Sequence, residues 1–244
     1  MEVHAHSHTP RKKWTHYFWE FLMLFLAVFC GFLAEYQLEH KIEKNREKQY
    51  MQSLVEDLKA DTAMLAANIK IRQDRMQMID TFLSLLYSPT GIRQRSGDLY
   101  YLARRASPPA NIFPNDGTIQ QLKSSGNLRL VHKKEIANSI MAYDQKMRKA
   151  LFEMGDESDM RITYREQLVK IFDNRVFIEM TNGDNVTKPA GNPALFSYDT
   201  TLINELSGSI QYLKRIHRTQ TITAGLLLRQ ADSLIQQIKE VYHL

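Results

Sequence analysis

The sequence predicts an all-α protein in which an N-terminal transmembrane helix precedes an elongated antiparallel bundle of three long helices, with two short helices at the distal end. Three observations lead to this fold class. Residues 21–34 form an apolar run without a charge. Residues 35–88 contain neither proline nor glycine, and their apolar residues recur at the three- and four-residue spacing of a packed helix. The same spacing returns in residues 132–178 and 199–242.

The apolar run is short for a membrane span, because fourteen helical residues rise only about 21 Å against a hydrocarbon core of about 30 Å. Aromatic residues, which favour membrane interfaces, lengthen it on both sides: Trp14, Tyr17, Phe18, Trp19 and Tyr36. These flanks predict a transmembrane helix over residues 17–37.

The alternatives to an uncleaved anchor are a cleaved signal peptide and a buried helix of a soluble protein. Phe29 before Cys30 argues against a lipoprotein cleavage site, and Phe32 argues against an Ala-x-Ala cut at Ala34. We therefore expect the anchor to remain in the mature protein.

Composition and charge exclude several classes of protein. The net charge is +5, and Lys and Arg mix with Asp and Glu along nearly every segment, so no nucleic-acid partner is expected. Cys30 is the only cysteine and lies inside the predicted span. A disulfide-stapled secreted scaffold is therefore excluded.

Residues 1–16 are predicted to be a disordered cytoplasmic tail. His4, His6 and His8 alternate and are able to converge on a metal ion, but a flexible tail is the simpler interpretation. The basic run of residues 11–13 directly before the span favours keeping this tail in the cytoplasm. The rest of the chain is then expected on the other side of the membrane.

A charged helical stalk is predicted over residues 38–50, and a helical bundle domain over residues 51–244. The apolar face of the first bundle helix has two exceptions, Thr62 and Arg72. Its other members are Val55, Leu58, Leu65, Ile69, Met76, Ile79, Leu83 and Leu86.

Proline and glycine in residues 88–97 predict a chain reversal. Two short helices are expected next, over residues 98–106 and 118–125, the second ending at Gly126. A second long helix is predicted over residues 132–178. An acidic cluster interrupts its apolar pattern near Gly155, and a solvated helix face is favoured there over a cation site. The cluster is Glu153, Asp156, Glu157 and Asp159.

A loop is predicted over residues 181–197, before the last helix at 199–242. His217 and Gln220 are polar exceptions on its apolar face. We interpret them as hydrogen-bonding partners that fix helix register, in preference to a ligand or metal site. In an up-down-up arrangement, residues 88–131 lie at the distal tip, the 181–197 loop returns near the membrane and the C-terminus is distal.

Two blocks of sequence carry a resemblance to a known family. The first follows Asn45-Arg46 of the charged stalk and reads Tyr50-x-x-x-Leu54-x-x-Asp57-Leu58-x-x-Asp61. The second reads Leu122-Lys123-Ser124-Ser125-Gly126-Asn127-Leu128 and precedes an Ile-rich helix that reaches Tyr143. With the anchor before them, these blocks resemble an uncharacterised family of single-pass bacterial membrane proteins, a domain of unknown function.

The resemblance implies an anchored helical domain of the bacterial envelope, with no activity that transfers to this chain. The expected location is the inner membrane, with the helical domain in the periplasm. The resemblance also marks the turn at Gly126 as a structural element, a helix C-cap that requires positive φ. The His-rich tail and the aromatic, Glu-containing start of the span depart from the family pattern.

No catalytic motif is present, so neither an enzyme nor a cofactor is expected. The first hypothesis is a scaffold or interaction protein, an accessory subunit of an envelope membrane complex. Its partners are the lipid bilayer and either another membrane protein or a second copy. Within the span, Glu20, Cys30 and Gly31 are the candidate partner-binding residues. The alternative is an extracytoplasmic ligand-sensing bundle, which needs a partner because the predicted tail is too short for an output domain.

Overall fold

A computed structural model describes residues 14–124, 126–183 and 185–244. His4, His6 and His8, for which a flexible tail is preferred over a metal site, lie outside the described residues. The described residues are mostly helical (82%) and include seven α-helices. It divides after Gln49 into two compact units.

The first unit contains the start of α1, a helix that runs from Trp14 to Tyr87. Among the described residues, α1 alone is long and apolar enough to cross a membrane, and none of its most apolar 18-residue window is buried. The charged stretch after the apolar run is mostly exposed, as predicted, although Glu47 is buried.

The second unit contains the rest of α1 and all the later elements. These are α2 (Gly91–Gln94), α3 (Ser96–Ala106), α4 (Gly117–Ser124), a 3₁₀ turn (Asn127–Leu130), α5 (Lys134–Ile171), α6 (Asn174–Glu179), β1 (Thr181–Asn182), β2 (Asn185–Val186) and α7 (Thr200–Tyr242). The two short strands pair antiparallel.

Several helix ends are where the sequence placed them. Asp199 caps α7, because its side chain accepts hydrogen bonds from the backbone N–H groups of Thr201 and Leu202. Gly126 has a φ of +67°, which lies in the left-handed region. The helix α5 also continues through Gly155 without a break.

The predicted end of the second long helix is wrong. Instead of reaching Ile178, α5 ends at Ile171, and Phe172 and Asp173 are extended. The side chain of Asp173 then accepts a hydrogen bond from the N–H of Arg175 and starts the separate helix α6. Phe172 lies at this break with an extended backbone, and its aromatic side chain is buried.

Two hydrophobic cores lie in the second unit, each built from α1, α5 and α7 with contributions from the shorter elements. The first core takes its long-helix residues from 51–65 of α1, 136–150 of α5 and 224–238 of α7. The second takes them from 79–86 of α1, 164–171 of α5 and 203–210 of α7.

These pairings correct the predicted up-down-up arrangement. Residue numbers rise together along α1 and α5 between the two cores and fall along α7, so α1 and α5 are parallel and α7 is antiparallel to both. The two short helices do not share one end of the bundle, since α3 packs in the second core and α4 in the first. The C-terminal residue Leu244 lies beside Gln52 and Ser53, at the start of the second unit.

The helices α1 and α5 are parallel because the segment between them returns along α1 before α5 begins. Hydrogen bonds record this path in sequence order: Arg75 to Pro108, Asn68 to Ala110, Asn115 to Asp61, Thr118 to Asp57 and Asn127 to Tyr50. The segment is therefore a crossover connection. It brings the chain back beside Tyr50, so that α5 runs parallel to α1.

Candidate functional site

The three predicted partner-binding residues all lie on exposed parts of α1. At about 100° per helical residue, Glu20 and Gly31 share a face with Ala27 and Ala34, and Cys30 lies at its edge. A Cβ added to Gly31 would meet no atom within 4 Å. The described chain therefore gives Gly31 no packing role of its own.

Aromatic residues occupy the opposite face of this segment. The rings of Phe21 and Phe25 stack with centroids 6.2 Å apart, and those of Phe25 and Phe29 with centroids 5.9 Å apart. The complete aromatic face consists of Trp14, Phe18, Phe21, Phe25, Phe29, Phe32 and Tyr36. The segment thus presents a face of large rings and, opposite to it, a face that carries Ala27, Gly31 and Ala34 and is bordered by Met23 and Leu24.

A buried polar layer separates the two cores of the second unit. Its centre is Arg72, which is fully buried at 0% exposure. Nη1 of Arg72 donates to Oε2 of Glu157 at 2.8 Å and to Nδ1 of His217 at 2.9 Å. Nε of Arg72 donates to Oδ1 of Asn68. One guanidinium therefore joins α1, α5 and α7.

The protonation state of His217 follows from this geometry. A guanidinium has no acceptor atom, so Nδ1 of His217 accepts the bond from Arg72 and Nε2 carries the ring proton. Burial, together with the positive charges of Arg72, Arg75 and Arg161, lowers the pKa of His217 from 6.5 to about 3. The ring is therefore neutral at physiological pH.

The layer also fixes the loop that follows α3. Arg72 donates from Nη2 to the carbonyl oxygen of Ala110, which also accepts from Asn68. Arg75 donates to the carbonyl oxygens of Pro108 and Pro109. Burial and the neighbouring arginines lower the pKa of Arg75, while Glu157 opposes the shift. The proline-rich loop is therefore held by side chains of α1.

The buried polar layer bears on two predictions, the solvated acidic cluster of α5 and the polar residues on the apolar face of α7. Asp156 and Asp159 are exposed as predicted, whereas Glu157, in the same acidic cluster, is 3% exposed and paired with Arg72. His217 does hydrogen-bond within the core, and its partner is Arg72 on another helix. Gln220 is buried one helical turn further along α7.

The two blocks behind the family resemblance contact each other in space. Tyr50 accepts a hydrogen bond from Asn127 at 2.8 Å. Asp57 accepts from the backbone N–H of Thr118 in the first turn of α4. Asp61 accepts from the N–H of Asn115 and from the hydroxyl of Tyr143. These polar residues therefore hold the crossover segment against α1.

A further cavity of the second unit lies between α3, α5 and α6 and has a volume of about 600 Å³. Arg104 and Arg165 line it together with the apolar side chains of Leu168, Phe177 and Ile178. Sequence reasoning missed this site, because it depends on the unpredicted break between α5 and α6.

Within residues 14–124, 126–183 and 185–244, no group of three or more His, Cys, Asp or Glu side chains is placed to hold a metal ion. Glu157 and His217 lie next to each other, and both contact Arg72. In the polar layer the positive charge is thus supplied by arginine.

Comparison of the chain with protein families, curated proteins and solved structures found no match. The resemblance to an uncharacterised membrane-protein family therefore stays a prediction that rests on the two sequence blocks.

Proposed function

We propose that the protein is a single-pass membrane-anchored helical scaffold, an accessory subunit of a bacterial envelope membrane complex. The observation that carries this proposal is the apolar window of α1, none of which is buried. Such a surface is compatible with lipid and disfavoured in water. The buried polar side chains of the second unit also support a scaffold role. Arg72, Arg75 and Asp61 all bond to other parts of the fold, which is a structural use of these groups.

The proposed location is the bacterial inner membrane, with a cytoplasmic N-terminus and a periplasmic helical domain. The basic run of residues 11–13 before the span supports this orientation. In the proposed arrangement α1, α5 and α7 form the three-helix bundle of the periplasmic domain, with α1 and α5 parallel.

The partner is proposed to bind the small-residue face of the span, which holds Glu20, Ala27, Gly31 and Ala34, with Cys30 at its edge. Small side chains allow two membrane helices to approach closely. The partner is another membrane protein or a second copy of this chain.

Co-purification after mild detergent extraction tests the proposal. We expect the full-length protein to be recovered with a stoichiometric membrane partner or as a dimer. Gly31→Leu places a large side chain on the small-residue face and should abolish recovery of that partner. Phe25→Leu, on the aromatic face, is the matched control and should retain it. A wild-type protein that is recovered alone and monomeric would overturn the proposal.

The ligand-sensing alternative is favoured by one specific observation, the cavity of about 600 Å³ lined by Arg104 and Arg165. Cavities of this size are typical of small-molecule sites. In this alternative the helical domain binds a ligand and acts through a partner protein.

A further inference from the structure

The cavity between α3, α5 and α6 combines an apolar wall with two positive charges. Its apolar side is formed by Leu168, Val169, Phe177 and Ile178. Two of these side chains lie open to solvent, since Val169 is 51% exposed and Ile178 is 73% exposed. Exposed branched aliphatic side chains beside a cavity provide a surface that an apolar ligand is able to cover.

The charges come from different elements. Arg104 lies at the C-terminal end of α3, with its guanidinium carbon 5.7 Å from the ring centroid of Phe177. Arg165 lies on α5 and donates from Nη2 to the carbonyl oxygen of Ser107 at 3.0 Å. Each guanidinium has five N–H groups, so these contacts leave donors for an incoming group.

No aspartate or glutamate is among the described residues that line this cavity. The neighbouring cavity adds to the positive charge, because it shares Arg104 and is also lined by Arg75 and Arg105 against the single carboxylate of Asp74. The surroundings therefore favour an anion and disfavour a cation.

We propose that this cavity binds an amphiphilic carboxylate, a small molecule with one carboxylate group on an apolar body. The carboxylate pairs with Arg104 and Arg165, whose planar guanidinium groups suit bidentate contacts with carboxylate oxygens. The apolar body covers Leu168, Val169 and Ile178. The volume of about 600 Å³ lies within the range of about 300–1,000 Å³ for small-molecule sites. This site is separate from the proposed scaffold role and does not depend on it.

The test uses full-length protein in lipid nanodiscs and saturation-transfer NMR, with 3-phenylpropanoate as the probe. The neutral 3-phenylpropanamide has the same apolar body and serves as the matched ligand, and empty nanodiscs measure partition into lipid. We expect saturable binding of the carboxylate to the protein, and at least about tenfold weaker binding of the amide because it lacks the charge-assisted hydrogen bonds.

Three variants complete the test. Arg104→Gln combined with Arg165→Gln should weaken carboxylate binding at least about tenfold, while Arg218→Gln, an exposed change on α7 outside this lining, should leave it unchanged. Ile178→Glu alters a largely exposed side chain, so it should fold normally and repel the carboxylate. Equal binding of acid and amide, no saturable binding, or unchanged binding in both cavity variants would overturn the proposal.

Discussion

Arg72 is the side chain at the centre of the buried polar layer of the second unit. It is fully buried, and its guanidinium bonds to Asn68 on α1, Glu157 on α5, His217 on α7 and the loop carbonyl of Ala110. A buried charge is tolerated only when it is paired and hydrogen-bonded. Glu157 provides the compensating negative charge.

Removing that charge should destabilise the protein strongly. Glu157→Ala leaves Arg72 buried without a counter-ion, and we expect a loss of about 3–5 kcal/mol in the free energy of unfolding. Denaturant unfolding of the full-length protein in detergent measures this loss. Asp159→Ala changes an exposed carboxylate two residues away and should shift stability by no more than about 0.5 kcal/mol. Equal effects of the two changes would show that the ion pair is not important.

His217 should make stability depend on pH. Its pKa is lowered from 6.5 to about 3 in the folded state, so below pH 6.5 the unfolded state binds a proton that the folded state excludes. The contribution of neutral His217 to the free energy of unfolding is complete above its unfolded-state pKa of 6.5. It is lost as the pH falls toward the folded-state pKa of about 3.

The expected result is a difference in slope between two proteins. Between pH 6 and pH 4.5, the free energy of unfolding of the wild type should fall by up to about 1.4 kcal/mol per pH unit more than that of His217→Gln. The same slope in both proteins would mean that His217 titrates normally in the fold.

At the scale of the elements, helical periodicity predicted α1 and α7 well, because their apolar faces are continuous and their ends carry ordinary signals. Pro89 follows the end of α1, and Asp199 caps α7. The break after Ile171 was missed, since apolar residues continue at helical spacing through it. Asp173 was the available signal, because aspartate is a preferred N-cap residue.

Two glycines, one in a turn and one inside a helix, should respond in opposite ways to replacement by alanine. Gly126 has a φ of +67°, so Gly126→Ala should destabilise the protein by about 1–2 kcal/mol. Gly155 is exposed inside α5, with no atom within 4 Å of an added Cβ. Gly155→Ala should therefore stabilise by up to about 1 kcal/mol. Thermal unfolding of both variants measures these shifts, and a destabilised Gly155→Ala would contradict them.

At the scale of the whole molecule, the sequence identified which faces are buried but not which helices face each other. An amphipathic pattern gives the same apolar face for a parallel and an antiparallel neighbour. The direction of α5 is fixed by the crossover segment, whose bonds to Asp57, Asp61 and Asn68 join residues far apart in the chain.

The polar layer was only partly visible for the same reason. Arg72 and His217 were noticed as polar interruptions of apolar faces, but Glu157 was hidden among acidic neighbours that are exposed. A local pattern does not tell a paired carboxylate from a solvated one, because the difference is made by a partner on another helix.

Alkaline carbonate extraction of membranes is the most direct test of whether α1 anchors the protein in a membrane. We expect the wild-type protein to stay in the membrane pellet. Leu26→Arg combined with Phe29→Arg places two charges in the span, at a cost of about 3 kcal/mol or more for each, and should shift the protein to the supernatant. Glu39→Arg combined with Glu43→Arg adds the same number of arginines to the charged stretch and should not. Release of the wild-type protein into the supernatant would contradict the claim.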